Sequence, residues 1–407
     1  MGLTLRILIA NDGFGDAGGV QSYLDRVAPG LVARGHDIAI LHRDAQAAPF
    51  AADATYALPQ FSVALNGVGP TIAAVAGWRP DVCFSHNMDR LEVDRALVER
   101  WPVVKFMHGY LGTCIGGQKQ HRFPSPVPCD RVFGAPCLAL YGPRHCGELN
   151  VAKFVGQYRW ARHQHDLFPA YRSVVVASDH MKREFARNGV APQRIHVNPL
   201  FSTHGEAADG PGARKGADAV PTVVFMGRMT VLKGGDLLLR AVAQASARLG
   251  QAIRVVMIGD GPQRGRWQKV AEGLRVDAAF TGWLKGEDRW SHVRGATLLA
   301  LPSTWPEPFG LVGLEAAALG VPAIAFDVGG VRQWLRDGES GCLVPAPPRA
   351  GPFGAALAAL LSQPDRLAAM RRGALAVAAE MTLGAHLHRL EQILSSSVRL
   401  QPDVRSA

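Results

Sequence analysis

The chain has 407 residues, roughly two to three times the size of an ordinary domain, so two domains with full cores are expected. Hydrophobic residues make up 48% and charged residues 19%, which excludes a disordered chain and a coiled coil. The formal net charge of +10 favours an anionic ligand or an anionic surface.

The N-terminus runs into an apolar stretch at Leu5–Ala10 without the charged segment and cleavage site of a secretory leader, and no run of eighteen apolar residues follows, so neither signal peptide nor spanning helix is read. Six cysteines make no disulfide scaffold, and a reducing, cytoplasmic setting is expected. Leu5–Ala10, Ile38–Leu41, Val82–Phe84, Val103–Met107 and Val174–Ala177 read as buried strands. Val20–Ala33 and Leu91–Arg100 read as helices between them, the first kinked at Pro29. Residues 205–220 are small, polar and contain Gly and Pro, which predicts a linker.

Alternation then restarts. Thr222–Met226, Arg254–Ile258, Ala278–Thr281, Leu298–Leu301 and Ala323–Phe326 read as strands, with helices at Asp236–Leu249, Arg264–Gly273, Val312–Leu319 and Val331–Arg336. The pattern predicts an α/β protein of two Rossmann-like, doubly wound parallel-sheet domains, 1–204 and 221–382, followed by a C-terminal helix and tail over 383–407 with Leu383, Leu387, Leu390 and Leu394 at helical spacing. Open parallel sheets bind ligands outside the carboxyl ends of their strands, so two facing sheets place the site in a central cleft.

Glu307 and Glu315 stand on either side of seven residues that contain Pro308 and Gly310. Glu307 should lie in the loop after a strand and Glu315 about one turn into the next helix. The free N–H groups of Phe309, Gly310, Leu311 and Val312 then form an anion site beside two carboxylates suited to sugar or ribose hydroxyls. Arg228 and Lys233 follow another strand, bracketed by Gly227 and Gly234. Two fixed cations there can neutralise charge growing on a leaving diphosphate. Gly18 and Gly19 follow the first strand and open a helix, where backbone can approach a phosphate or sugar. His108 follows Val103–Met107, and His86 with Asn87 follows Val82–Phe84, all at strand ends.

These pieces resemble the retaining glycosyltransferases of family four, of the group 1 type, which have the GT-B fold. Glu307-x7-Glu315 looks like that family's paired acids. Gly227-Arg228 with Lys233-Gly234-Gly235, the Gly259-Asp260-Gly261-Pro262 turn, Gly320-Val321-Pro322, Gly329-Gly330, Asp337-Gly338-x-x-Gly341, Gly18-Gly19-Val20 and His108-Gly109 match it in order. The resemblance implies that Arg228, Lys233, Glu315 and the Phe309–Val312 backbone hold a nucleoside diphosphate sugar, with Glu307 and His108 facing its sugar. It also places Gly19 near the sugar and diphosphate, and the loop of Trp283 and Leu284, after the strand ending at Thr281, beside the nucleotide base. Gly259 belongs to the same donor site, and His86 and Asn87 fall on the acceptor side. No Asp-x-Asp occurs, so catalysis without a metal cofactor is expected.

Cys114, Cys129, Cys137 and Cys146 fall within one Pro- and Gly-rich stretch, 109–148, that reads as a long loop over the acceptor side. Three readings stay open for it: a structural zinc on four thiolates, free thiols, or disulfides. Several members of the family that the chain resembles carry cysteine-rich insertions at this point. The expected activity is transfer of a sugar to an acceptor hydroxyl on a polysaccharide, a lipid-linked glycan or a small molecule, as in cell envelope polysaccharide synthesis. The net charge suggests peripheral docking on an anionic membrane, and scattered basic residues with 7% aromatics make nucleic acid a poor fit. The rival readings are a GT-B epimerase or phosphorylase and a non-catalytic nucleotide-sugar binder.

Overall fold

The computed structural model describes residues 4–13, 19–45, 58–147, 150–204 and 220–399. Gly18, the linker apart from Val220, and the tail beyond Arg399 lie outside these residues. The strands in chain order are β1 Arg6–Ala10, β2 Asp37–His42, β3 Gln60–Ser62, β4 Val82–Ser85, β5 Val103–Met107, β6 Gln120–His121, β7 Val127–Pro128, β8 Ser173–Val176, β9 Ile195–Val197, β10 Thr222–Met226, β11 Arg254–Ile258, β12 Ala278–Gly282, β13 Leu298–Leu301, β14 Ala323–Phe326 and β15 Gly341–Val344.

Seven strands form one sheet in the order β3-β2-β1-β4-β5-β8-β9, and six form another in the order β12-β11-β10-β13-β14-β15. Every pairing in both sheets is parallel. The strands are near-continuous apolar runs because helices cover both faces of each sheet. The strand order reverses between β1 and β4 in the first sheet and between β10 and β13 in the second. Those two switch points open crevices at strand carboxyl ends.

The first sheet packs Ile7, Ile9, Phe84 and Phe106 against Leu24 and Leu31 of the helix Gly19–Ala33. That helix runs through Pro29, and neighbouring Gly30 receives Leu387 of the last helix, Leu383–Arg399. Leu387, Leu390, Ile393 and Leu394 thus bury the C-terminal helix in the core of the first half. A separate core fills one face of the second sheet around Phe225, Leu238, Trp267 and Phe353, and a third runs through both halves.

Two expectations are corrected. Val331–Arg336 is no helix but a single 3-10 turn, Val331–Gln333, because Trp334 plugs into the hollow over Gly313 and donates to the Phe309 carbonyl at 2.6 Å. The stretch 109–148 is no bare loop: it holds the antiparallel ribbon β6–β7 and the helix Pro136–Tyr141. It also reaches the second half, where Gln120 Nε2 donates to Thr304 Oγ1 at 2.7 Å.

Candidate active site

On the second half, the β10 end and the β13 end supply the charged groups. Gly234 adopts a left-handed φ of +63°, and a Cβ there would sit 2.0 Å from the Pro302 carbonyl oxygen. Only glycine lets the Lys233 turn press against the loop after β13. That contact brings Lys233 Nζ to 2.6 Å from Glu307 Oε1. The same carboxylate oxygen accepts from Ser303 Oγ and from Trp305 Nε1, the latter at 3.0 Å, and Glu307 is only 3% exposed. Its backbone is gripped from behind, since Gly330 N–H donates to the Glu307 carbonyl at 2.6 Å. At Gly329, φ +64°, a Cβ would stand 2.3 Å from that carbonyl oxygen. Arg228 is exposed at the mouth and has no ion-pair partner among the described residues.

The helix Leu311–Ala318 starts after Gly310, φ +86°, with no side chain capping its first N–H groups. Leu311 and Val312 at its tip are half-buried, while Phe309 is buried beneath. Glu315 lies about a turn in, at 4% exposure. Its oxygens accept from Ser202 Oγ at 2.9 Å, Thr203 N at 3.1 Å and Thr203 Oγ1 at 2.9 Å. Those residues begin the segment that joins the halves. Gly259 N donates to the Gly282 carbonyl at 2.9 Å, tying the ends of β11 and β12 together. Trp283 stands out from the surface at 63% exposure, while Leu284 packs on the core.

On the first half, His108 Nε2 and His86 Nδ1 lie 2.9 Å apart, so one proton is shared between two imidazoles. Phe106 stacks on His108 with centroids 4.4 Å apart, and Tyr23 meets it edge-on. Burial, with help from the Lys105 and His386 charges, pushes His108 down to about 3. Burial first, then His108 and Lys105, hold His86 well below the usual imidazole range. Both rings are therefore neutral hydrogen-bonding groups at physiological pH. Gly19 begins its helix at the surface, and the Asn87 carbonyl accepts from Asp12 N at 2.8 Å.

Several groups here escaped the sequence reading. Asn11 and Asp12 follow β1, and Asp12 Oδ2 pairs with Arg43 Nη1 at 3.0 Å. Burial and the Asp89 charge raise Asp12 to about 6. Tyr110 is buried, meets Trp305 of the other half edge-on, and its hydroxyl has no partner among the described residues. Asn11 Oδ1 and His86 Nε2 are orphaned in the same way. These three atoms stand at neighbouring strand ends, β1, β4 and β5. Their signal in the sequence is the polar residue placed directly after an apolar strand. Beneath them, Lys105 Nζ sits 2.5 Å from Asp94 Oδ2 in a dry pair closed by Ser85 and Tyr171.

The halves touch directly: Ser178 Oγ donates to the Pro308 carbonyl at 2.7 Å, and Asp179 N to Gln333 Oε1 at 3.0 Å. The second half thus gathers Arg228, Lys233, two buried carboxylates and an uncapped helix tip at its strand ends, and the first half two neutral imidazoles and orphaned polar atoms at its own, with Tyr110 meeting Trp305 between them. The cavity ringed by Cys114, Cys129, Cys137 and Cys146 lies within the insertion.

Residues 214–376 match the family model of the group 1 glycosyl transferases. The chain is 30% identical to the D-inositol 3-phosphate glycosyltransferase of Nocardia farcinica, across 95% of this chain and 86% of that one. Among solved structures, it resembles a sucrose-phosphate synthase from Thermosynechococcus elongatus, with a TM-score of 0.71 and 18% identity over 98% of this chain and all of that one. It likewise resembles Anabaena HepE in complex with UDP-glucose, with a TM-score of 0.65 and 19% identity over 96% of this chain and all of that one. These structural likenesses show the GT-B fold.

Proposed function

Because the chain belongs to the group 1 glycosyl transferases and is a glycosyltransferase, we propose that it moves a sugar, with retention at the anomeric carbon, from a nucleoside diphosphate held mainly by the second half to an acceptor hydroxyl held by the first. The observation that carries this reading is the convergence of Lys233, Glu307, the Leu311–Ala318 helix tip and Arg228 at adjacent strand ends.

As the bond between sugar and phosphate lengthens, charge gathers on the diphosphate. Arg228, Lys233 and the N–H groups of Leu311 and Val312 stabilise it. They fill the role that a divalent ion plays on Asp-x-Asp ligands elsewhere, so the transfer runs without a catalytic metal. The freed phosphate oxygen takes the proton of the acceptor hydroxyl as that hydroxyl bonds to the anomeric carbon on the face the phosphate leaves. Water is kept out by closure of the halves.

In the structure both carboxylates have protein partners. Lys233 satisfies Glu307, and Ser202 with Thr203 satisfies Glu315. Donor binding exchanges these partners: the diphosphate takes Lys233, the sugar hydroxyls take Glu307, and the ribose hydroxyls take Glu315. Neutral His108 donates to or accepts from a sugar hydroxyl and carries no charge of its own. Gly19 lies against the donor, Gly259 shapes its pocket, and the loop of Trp283 and Leu284 borders the base. Asn11, Asp12, His86, Asn87 and Tyr110 receive the acceptor, a glycan, lipid-linked glycan or small molecule. A net charge of +10 supports docking on an anionic cytoplasmic membrane face to reach a lipid-linked one.

A thermal-shift panel of nucleoside diphosphates and their sugars tests the donor reading, because a ligand that binds only the native state raises its melting point. At least one uridine or guanosine diphosphate sugar is expected to raise it, more than the matching monophosphate does. No shift with any member of the panel contradicts the reading.

A further inference from the structure

Four of the six cysteines surround one small cavity that glycosyl transfer does not use. Cys114, Cys129, Cys137 and Cys146 line it together with His121 and Arg131, around a space of about 20 Å³. That is room for one water-sized occupant, far less than a sugar needs.

The thiols reach it from four separate turns. Cys114 opens a turn closed by Gly117 N–H to its carbonyl at 3.2 Å. Cys129 follows the ribbon β6–β7, its N–H bonded to the Lys119 carbonyl at 2.7 Å. Cys137 lies in the first turn of the helix Pro136–Tyr141, and Cys146 follows that helix, its N–H bonded to the Tyr141 carbonyl at 3.0 Å. Cys146 Sγ is 3.6 Å from His121 Nδ1. The insertion's apolar cluster is small, Ile115, Phe133 and Tyr141 with Ala161 of the helix Val151–Asp166. A segment of this length with so little core needs another staple.

We propose that this cavity is a structural zinc site with Cys114, Cys129, Cys137 and Cys146 as its ligands. Among the described residues no three His, Cys, Asp or Glu side chains are gathered closely enough to hold a metal, so zinc binding requires the four thiols to draw together. Each thiol gives up one proton as its sulfur bonds zinc, and no electron is transferred. The four thiolates outweigh the charge of the ion, and Arg131 on the cavity wall offsets part of the excess. Zinc would fix the ribbon from which Gln120 reaches Thr304, three residues before Glu307. The insertion thereby becomes a strap that holds the Glu307 loop in place. That last step rests on the glycosyl-transfer reading, whereas the metal site does not.

The test uses the full chain, purified under reducing conditions without chelator. Elemental analysis is expected to give about one zinc per chain. Cys129→Ser and Cys146→Ser are expected to lose most of it, and Cys83→Ser and Cys342→Ser to keep it. Should the first two variants fail to fold, titration of the wild type with a mercurial, followed by a zinc dye, is expected to release the ion in step with modification of the clustered thiols. Wild-type protein that stays below a fifth of a zinc per chain after zinc supplementation, an iron–sulfur absorption band, or disulfides among these four cysteines would each overturn the site. A zinc-loaded protein without transferase activity would leave the site standing and count against the glycosyl-transfer reading instead.

Discussion

Replacing Lys233 with alanine separates a structural role from a catalytic one. Lys233 neutralises Glu307, which is 3% exposed and otherwise held by the Ser303 hydroxyl and the Trp305 indole. Orphaning one member of a buried ion pair costs about 3–5 kcal/mol. The Lys233 side chain is 26% exposed, so water enters the space it vacates, and a cost of about 2 kcal/mol is expected. For a chain of this size that lowers the melting temperature by about 2 °C. The catalytic loss is larger: removing a transition-state charge contact costs about 3–4 kcal/mol, a fall in turnover of about a hundredfold or more. The two effects part in the double variant Lys233→Ala/Glu307→Gln. With the buried charge gone the melting temperature recovers, while turnover does not. The assay is release of nucleoside diphosphate at saturating donor and acceptor, run beside thermal unfolding. Turnover within threefold of wild type in Lys233→Ala, or recovered in the double variant, would show that Lys233 serves only to satisfy Glu307.

Glu315→Gln is expected to weaken donor binding, whereas Ser202→Ala/Thr203→Ala, which removes two competing hydroxyls, should strengthen it severalfold in a calorimetric titration; weaker binding in the hydroxyl-free variant would make Glu315 a linker anchor with no ribose to hold. His386 accepts from Tyr23 and bonds the Pro199 carbonyl, and burial, with the Arg389 charge, lowers it to about 4. Its folded pKa lies below the ordinary value near 6.5, so the unfolded chain binds more protons between the two and stability falls as pH drops from about 6.5 toward 4. Urea unfolding across that window should show the fall in wild type and a shallower one in His386→Gln; equal slopes would remove His386 from the acid response. Sedimentation with anionic vesicles should show binding that salt abolishes, and recovery of all the protein in the supernatant at low salt would remove the membrane reading.

The second half was the more legible in sequence, because its apolar runs, glycine turns and charged residues all fall in local order. Gly227-Arg228, Lys233-Gly234 and Glu307-x7-Glu315 declare strand ends without any knowledge of the partner half. What stayed hidden depends on distance along the chain. The Glu315 contact with Thr203 spans 112 residues, and the Gln120 contact with Thr304 spans 184, so no local pattern reports either. Lys105 passed as one residue of an apolar strand because its partner, Asp94, sits on another element. The strands β3 and β9, three residues each, were too short to show a period, and Val331–Arg336 has helical residues but yields its second turn to the packing of Trp334 on Gly313. The cysteine cluster was visible as composition, whereas the four turns that aim its thiols at one cavity were not.

The central claim is that the crevice of the second half breaks the bond between a sugar and a nucleoside diphosphate. Prolonged incubation of the protein with single nucleotide sugars and no acceptor, followed by chromatography of the nucleotides, tests this most directly. Slow release of nucleoside diphosphate from at least one donor, slowed about a hundredfold further in Lys233→Ala, is the predicted result. A protein that binds a nucleotide sugar yet releases no diphosphate, with or without candidate acceptors, would contradict the account and leave a binding protein in its place.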